Sequence, residues 1–145
     1  MEENKKVIVD SSVIISALIS SKGASYYCLI SAKDKGYRLF ISEFILKEIL
    51  DVIERKFPNL LIKFFEILTI SGITILKNPN KKDLKLFEKL VEKEDTPILA
   101  LAIKEKADFL LTLDKGFLAS KVIKFALKYN LKILMPKDFI KYLRQ

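Results

Sequence analysis

Five short runs in this chain, Lys6 to Asp10, Arg38 to Ile41, Ile73 to Leu76, Phe109 to Leu113 and Leu131 to Leu134, are built mainly from branched or aromatic apolar residues. The first and fourth are apolar on both faces, the pattern of strands covered on both sides in a parallel sheet. Helical patterning separates each run from the next. Strands that alternate with helices from end to end imply a three-layer α/β/α arrangement around a mostly parallel central sheet of about five strands. At 145 residues the chain reads as one domain, 1–145, long enough to bury a real core without disulfide or metal staples. No repeat, linker or low-complexity segment divides it.

The helices punctuate this pattern. Ser11 and Ser12 are candidate caps for a helix through Val13, Ile14, Ala17 and Leu18. A second helix from about Ala24 to Lys35 closes at Gly36, a suitable C-terminal cap. Ser42 caps a third, Glu43 to about Phe57, whose apolar stripe is Leu46, Ile49, Leu50, Ile53 and Phe57 and whose wet face is Glu43, Lys47, Asp51 and Glu54. Glu48 belongs to neither face and projects beside Phe44, Ile45 and Val52. Pro58 to Gly72, Asp83 to Lys93 and Gly116 to Tyr129 read as further helices, and Pro136 opens the last. Lys81, Lys82, Lys85, Lys89 and Lys93 form a solvated basic face.

Composition removes whole classes of chemistry. The chain has no histidine, so Ser-His-Asp and Cys-His catalysis and His-ligated zinc are excluded. Cys28 is its only cysteine, which rules out an internal disulfide or a Cys-based zinc site and fits a reducing compartment. No GxGxxG or GxxxxGK[ST] loop occurs. Lys+Arg 26 against Asp+Glu 18 gives a net +8, and such a surface attracts polyanions, nucleic acid among them. No apolar run approaches the ~18 residues of a membrane span, and no signal peptide is evident, so a cytoplasmic protein is expected.

What remains for chemistry is a set of carboxylates. Asp10 and Asp114 stand at the carboxyl ends of apolar strands, where open α/β sheets bind ligands. Asp95 starts the segment Ile98 to Ile103, which is apolar on every face and therefore buried. Glu48 lies off the wet face of its helix. Topology draws these four acids together, and a like-charge pair at ~4 Å costs about 4 kcal/mol at an effective dielectric near 20. Protonation or a cation must relieve that. Oxygen donors without His or Cys select Mg²⁺ or Mn²⁺, which can polarise a phosphodiester and turn bound water into hydroxide for in-line attack.

Four segments carry a family resemblance: Asp10-Ser11-Ser12-Val13-Ile14; Ser42-Glu43 followed by Glu48-Ile49; Asp95 followed by Ile98-Leu99-Ala100-Leu101-Ala102; and Ala107-Asp108-Phe109-Leu110-Leu111-Thr112 with Asp114. In this order and spacing, over about Val7 to Leu143, the chain resembles the PIN-domain ribonucleases, and among them the toxin components of toxin–antitoxin systems. The resemblance implies a Mg²⁺- or Mn²⁺-dependent endoribonuclease acting on RNA. It makes Asp10, Glu48, Asp95 and Asp114 the catalytic acids, with Asp10, Asp95 and Asp114 as metal ligands. Ser11 and Thr112 become supporting hydroxyls near the site. Homodimers are common in the family, and a small antitoxin protein silences the toxins. Leu113 departs from the pattern, standing where many relatives have glycine. Glu94 directly precedes Asp95, and the register of Ile98, Leu99 and Ala102 selects Asp95 of the two. Asp108, at the opposite end of its strand, is expected to be structural.

Two other Asp-bearing α/β folds fit less well. A haloacid-dehalogenase-like phosphatase needs a second aspartate where Ser12 stands, and a phosphotransfer receiver needs an acidic pair where Val9 precedes Asp10. The serious rival is a non-catalytic RNA- or protein-binding module of the same fold.

Overall fold

The computed structural model describes residues 4–85, 87–89, 91 and 95–145. Five strands, β1 (Lys5–Val9), β2 (Tyr37–Ser42), β3 (Thr74–Leu76), β4 (Phe109–Leu111) and β5 (Lys132–Leu134), form one sheet in the order β3-β2-β1-β4-β5. All four strand pairings are parallel. Val7, Ile8 and Val9 of the central strand are fully buried, as are Leu110 and Leu111 beside them. That is the both-faces burial their unbroken apolar pattern predicts.

The chain fills this sheet from its middle outwards. After β1 it passes through α1 (Ser11–Ile19) and α2 (Ala24–Ser31) to β2, then through α3 (Glu43–Lys56) and α4 (Leu61–Ser71) to the edge strand β3. It then returns through α5 (Lys81–Lys85) and α6 (Thr96–Lys104) to β4 on the other side of β1, and continues through α7 (Ser120–Leu127) to β5 and α8 (Pro136–Leu143). Because parallel crossovers are right-handed, reversing the direction of travel puts the later crossovers on the opposite face. Contacts agree with that: α1 packs on α2, α2 packs on α4, and α5 packs on α6, while the terminal α8, which crosses to no further strand, returns to α2. The reversal also creates a switch point between β1 and β4, where open sheets hold ligands beyond the strand ends.

Several element boundaries differ from the sequence expectations, for local reasons. β1 ends at Val9, so the cap of α1 falls on Asp10, whose carboxylate accepts from the Ser11 N–H; Ser11 and Ser12 sit inside the first turn instead of capping it. The helix expected over Ala24 to Lys35 ends at Ser31 and tightens into a 3₁₀ turn, Lys33–Lys35, closed by Gly36 at φ 87°. Pro58 opens a 3₁₀ turn, Pro58–Leu60, ahead of α4, which Gly72 stops at φ 64°. The Asp83 to Lys93 helix is the short α5, and the rest of that expectation falls partly outside the described residues. β4 stops at Leu111 rather than Leu113, and the segment after Gly116 turns for a few residues before α7 starts. Among the described residues no single helix is long and apolar enough to cross a membrane.

One helix has more apolar surface than the core uses. α4 buries Phe64 and Ile67, yet Ile62, Phe65 and Ile70 are 74%, 52% and 55% exposed on its outer side.

Candidate active site

Hydrogen-bonded pairing of the two central strands ends at Val9 and Leu111, and the Asp10 N–H donates to the Leu111 carbonyl at 2.9 Å. Asp10 and the β4 exit are therefore neighbours by register. Asp10 is 4% exposed, and both carboxylate oxygens accept hydrogen bonds: Oδ1 from the Ser11 N–H at 2.8 Å, and Oδ2 from Ser12 Oγ at 2.8 Å and Thr112 Oγ1 at 2.7 Å. Burial pushes its pKa above the usual carboxylate range. Hydrogen bonds from Thr112, Ser12 and Ser11 pull the other way, and the Asp114 charge adds to the rise.

Both hydroxyls on Asp10 also reach the loop after β4. Ser12 Oγ accepts from the Leu113 N–H at 3.1 Å, and Thr112 Oγ1 accepts from the Asp114 N–H at 3.0 Å. Two bridges thus tie the first carboxylate to the loop that carries the last, one at the Leu113 N–H and one at the Asp114 N–H. Leu113 adopts an ordinary negative φ, so the glycine of many relatives is not needed for this turn. Asp114 turns one oxygen back, Oδ1 accepting from the Gly116 N–H at 2.7 Å.

Asp95 stands at the start of α6 but does not cap it with its side chain. Its carboxyl faces the other acids. The pKa is pushed up to about 7 by burial first, then by the charge of Asp114 and a hydrogen bond with it, then by the charges of Asp10 and Glu48. Glu48 arrives from α3, one face over from the helix's wet side, where Oε1 accepts from Ser11 Oγ at 2.6 Å. Asp10, Glu48, Asp95 and Asp114 therefore share one electrostatic field at the switch point. Asp108 lies at the other end of β4, where Oδ2 accepts from the Lys6 N–H at 2.9 Å and helps fix the β1–β4 pairing. Whether Glu94 contributes lies outside the described residues.

Among the described residues no three of these acids close into a ready-made ligand cage. The donor set still fits a hydrated divalent cation. Mg²⁺ keeps several waters and takes only one or two carboxylates directly. Gly116 lets the two carboxylates approach: a methyl group there would crowd Asp114 Oδ1 at 3.2 Å and touch Asp95 Oδ2 at 3.5 Å. Sequence reasoning passed over both Gly116 and Ser12. The available signal was a second hydroxyl directly after Asp10-Ser11 and a glycine two residues beyond Asp114.

The family sequence model of the PIN domain matches residues 6–116, which spans all four acids. The chain belongs to the PIN-domain family. An uncharacterized protein of Methanocaldococcus jannaschii is 32% identical over 149 aligned positions, covering 97% of this PIN protein and 93% of its relative. Solved structures share the fold at low identity. PAE2754 from Pyrobaculum aerophilum superposes with TM-score 0.67 at 12% identity, covering 97% of this chain and 96% of that one. VapBC2 from Rickettsia felis, bound to a DNA fragment from its promoter, gives 0.66 at 18%, covering 90% and 98%. Mycobacterium tuberculosis VapC20, a toxin that cleaves the sarcin–ricin loop, gives 0.54 at 17%, covering 79% and 94%.

Proposed function

We propose that this PIN domain is a divalent-metal-dependent endoribonuclease, the toxin of a toxin–antitoxin pair. The observation that carries the reading is the gathering of four acids at the switch point, where burial first and then the charges of Asp114, Asp10 and Glu48 push the pKa of Asp95 up to about 7. Asp10, Asp95 and Asp114 hold the cation, Mg²⁺ or Mn²⁺. When bound, that ion supplies Lewis acidity and lowers the pKa of a coordinated water.

The chain's own residues do the rest. The hydrogen bonds from Ser12 and Thr112 favour the charged form of Asp10 against the effect of burial, and they tie it to the loop that carries Asp114. Gly116 orients Asp114 by binding one of its oxygens, which leaves the other for the site. Asp95, whose side chain makes no capping bond, would be a ligand in its deprotonated form. Glu48, tethered through Ser11, orients the attacking water and accepts its proton. A small antitoxin protein is the expected partner, by analogy with the VapBC2 assembly. Exposed Ile62, Phe65 and Ile70 on α4 give protein contacts, a homodimer included, an apolar surface to use. The expected compartment is the cytoplasm.

Cleavage of labelled RNA with Mg²⁺ or Mn²⁺ against EDTA, for wild type and Asp10→Asn, tests the mechanism. Cutting that survives chelation or the substitution sinks it. The open spacing of the acids leaves one competitor, a non-catalytic RNA- or protein-binding module. Binding without cleavage in both proteins favours that module.

A further inference from the structure

Positive charge is unevenly placed in this protein. Residues 115–137 contain six lysines, Lys115, Lys121, Lys124, Lys128, Lys132 and Lys137, and no acid. The whole chain carries 26 basic and 18 acidic residues, which leaves 20 against 18 everywhere else, so this one segment supplies +6 of the net +8. It begins directly after Asp114 and runs through α7, and all but its first two residues lie beyond the matched part of the family.

The fold puts these lysines on a track leading away from the acids. The Leu118 N–H donates to the Asp114 carbonyl, so the turn that opens α7 starts at the site itself. Lys121, Lys124 and Lys128 follow at i, i+3 and i+7 spacing on one helix face, all exposed, while Val122 and Ala126 point inward. None of the six lysines takes part in an ion pair among the described residues. Lysines three and four apart on a helix repel one another, whereas on α3 Lys47 stands between Glu43 and Asp51 at i, i+4 spacing, the opposite-sign arrangement. A face that retains uncompensated like charges is suited to a polyanion.

Aromatic surface accompanies the charge. Lys128 Nζ lies 5.9 Å from the Phe125 ring, and Tyr129, 48% exposed, sits 5.4 Å from the same ring. Tyr129 also borders an open pocket of about 510 Å³ whose rim includes Asn130, Asp108 and Lys106. Basic grooves with exposed rings are the platform on which single-stranded nucleic acid is held, the bases stacking and the phosphates paired.

We propose that the exposed face of α7, from Lys115 through Lys121, Lys124 and Lys128, holds the phosphate backbone of a single-stranded RNA, and that Tyr129 stacks one of its bases at the far end. This rests on the ribonuclease reading for the identity of the strand, while the surface itself stands on charge and exposure. The test measures binding of a labelled single-stranded RNA oligonucleotide in EDTA, where the strand stays intact. Wild type is compared with Lys121→Gln/Lys124→Gln/Lys128→Gln and with a charge-matched control, Lys33→Gln/Lys35→Gln/Lys56→Gln.

The α7 variant is expected to bind about tenfold more weakly or worse, with the slope of log K against log salt reduced by about 2, as loss of three phosphate contacts to a single strand requires. The control should bind close to wild type. Tyr129→Ala should weaken binding several-fold and leave the salt slope in place. Equal losses in the two triple variants, or no RNA binding by wild type, overturn the proposal. Adding Mn²⁺ separates it from the nuclease reading. Intact RNA together with an α7-dependent affinity removes only the nuclease, whereas cleavage whose KM ignores the α7 substitutions removes only the surface.

Discussion

Asp95 makes the stability of the metal-free protein depend on pH, and the sign is unusual for an acid. Its native pKa lies near 7 against 3.8 for the free side chain, so between those values the native state keeps a proton that the unfolded chain has released. Asp10 shifts in the same direction. Stability from these groups is therefore complete below pH ~4 and is lost as pH rises towards 7. For the half-exposed Asp95 this is about 1–2 kcal/mol once solvent screening is allowed for. Thermal melts in EDTA should show a lower Tm at pH 8 than at pH 5, with the gap narrowed in Asp95→Asn. Asp95→Asn and Asp114→Asn should each raise the metal-free Tm at pH 8, since each removes a repelling charge. A loss of stability in both would identify these acids as structural anchors. Thr112 makes the opposite case. Thr112→Val keeps the shape but strips a donor from buried Asp10, so urea unfolding should show a cost of about 1–3 kcal/mol.

At this scale the sequence made the acids legible because strand ends and helix phase are periodic properties. The hydroxyl bridges were not legible. That Ser12 and Thr112 serve Asp10 on one side and the Leu113 and Asp114 amides on the other depends on the β1–β4 register, which links positions 102 residues apart.

Elements built from branched apolar runs were readable throughout, since a strand buried on both faces tolerates little else. Their ends were less so. Each is decided by which residue claims an orphan N–H or carbonyl, as when Asp10 takes the cap of α1 from the serines. Some ends were legible, Gly72 stopping α4 and Pro136 opening α8 among them, and Ser42 is a cap expected and found, with Oγ accepting from the Ile45 N–H at 3.0 Å. Ser42→Ala should cost about 1 kcal/mol in chemical denaturation. Because α3 carries Glu48, the same substitution should also lower cleavage. Lys106 is a second test at an element boundary. It closes α6 in the left-handed region at φ 53°, where a side chain is strained, so Lys106→Gly should stabilise the fold by up to about 1 kcal/mol in the same assay.

For the whole molecule, the proposed function makes a bound cation the partner that relieves the mutual repulsion of the acids. Mn²⁺ at about 100 times its Kd should stabilise the protein by about 2.7 kcal/mol, and differential scanning fluorimetry of Asp10→Asn should show that shift abolished. The sheet order carries a further consequence. The central strand is made first and acquires one of its two flanking partners, β4, only about 100 residues later. A ribosome must therefore release most of the polypeptide before Asp10 can meet Asp114. Nascent chains and truncated products ending before β4 lack Asp114 and the strand that anchors Asp10 beside it, so on the ribonuclease reading a cell is shielded from its own unfinished copies.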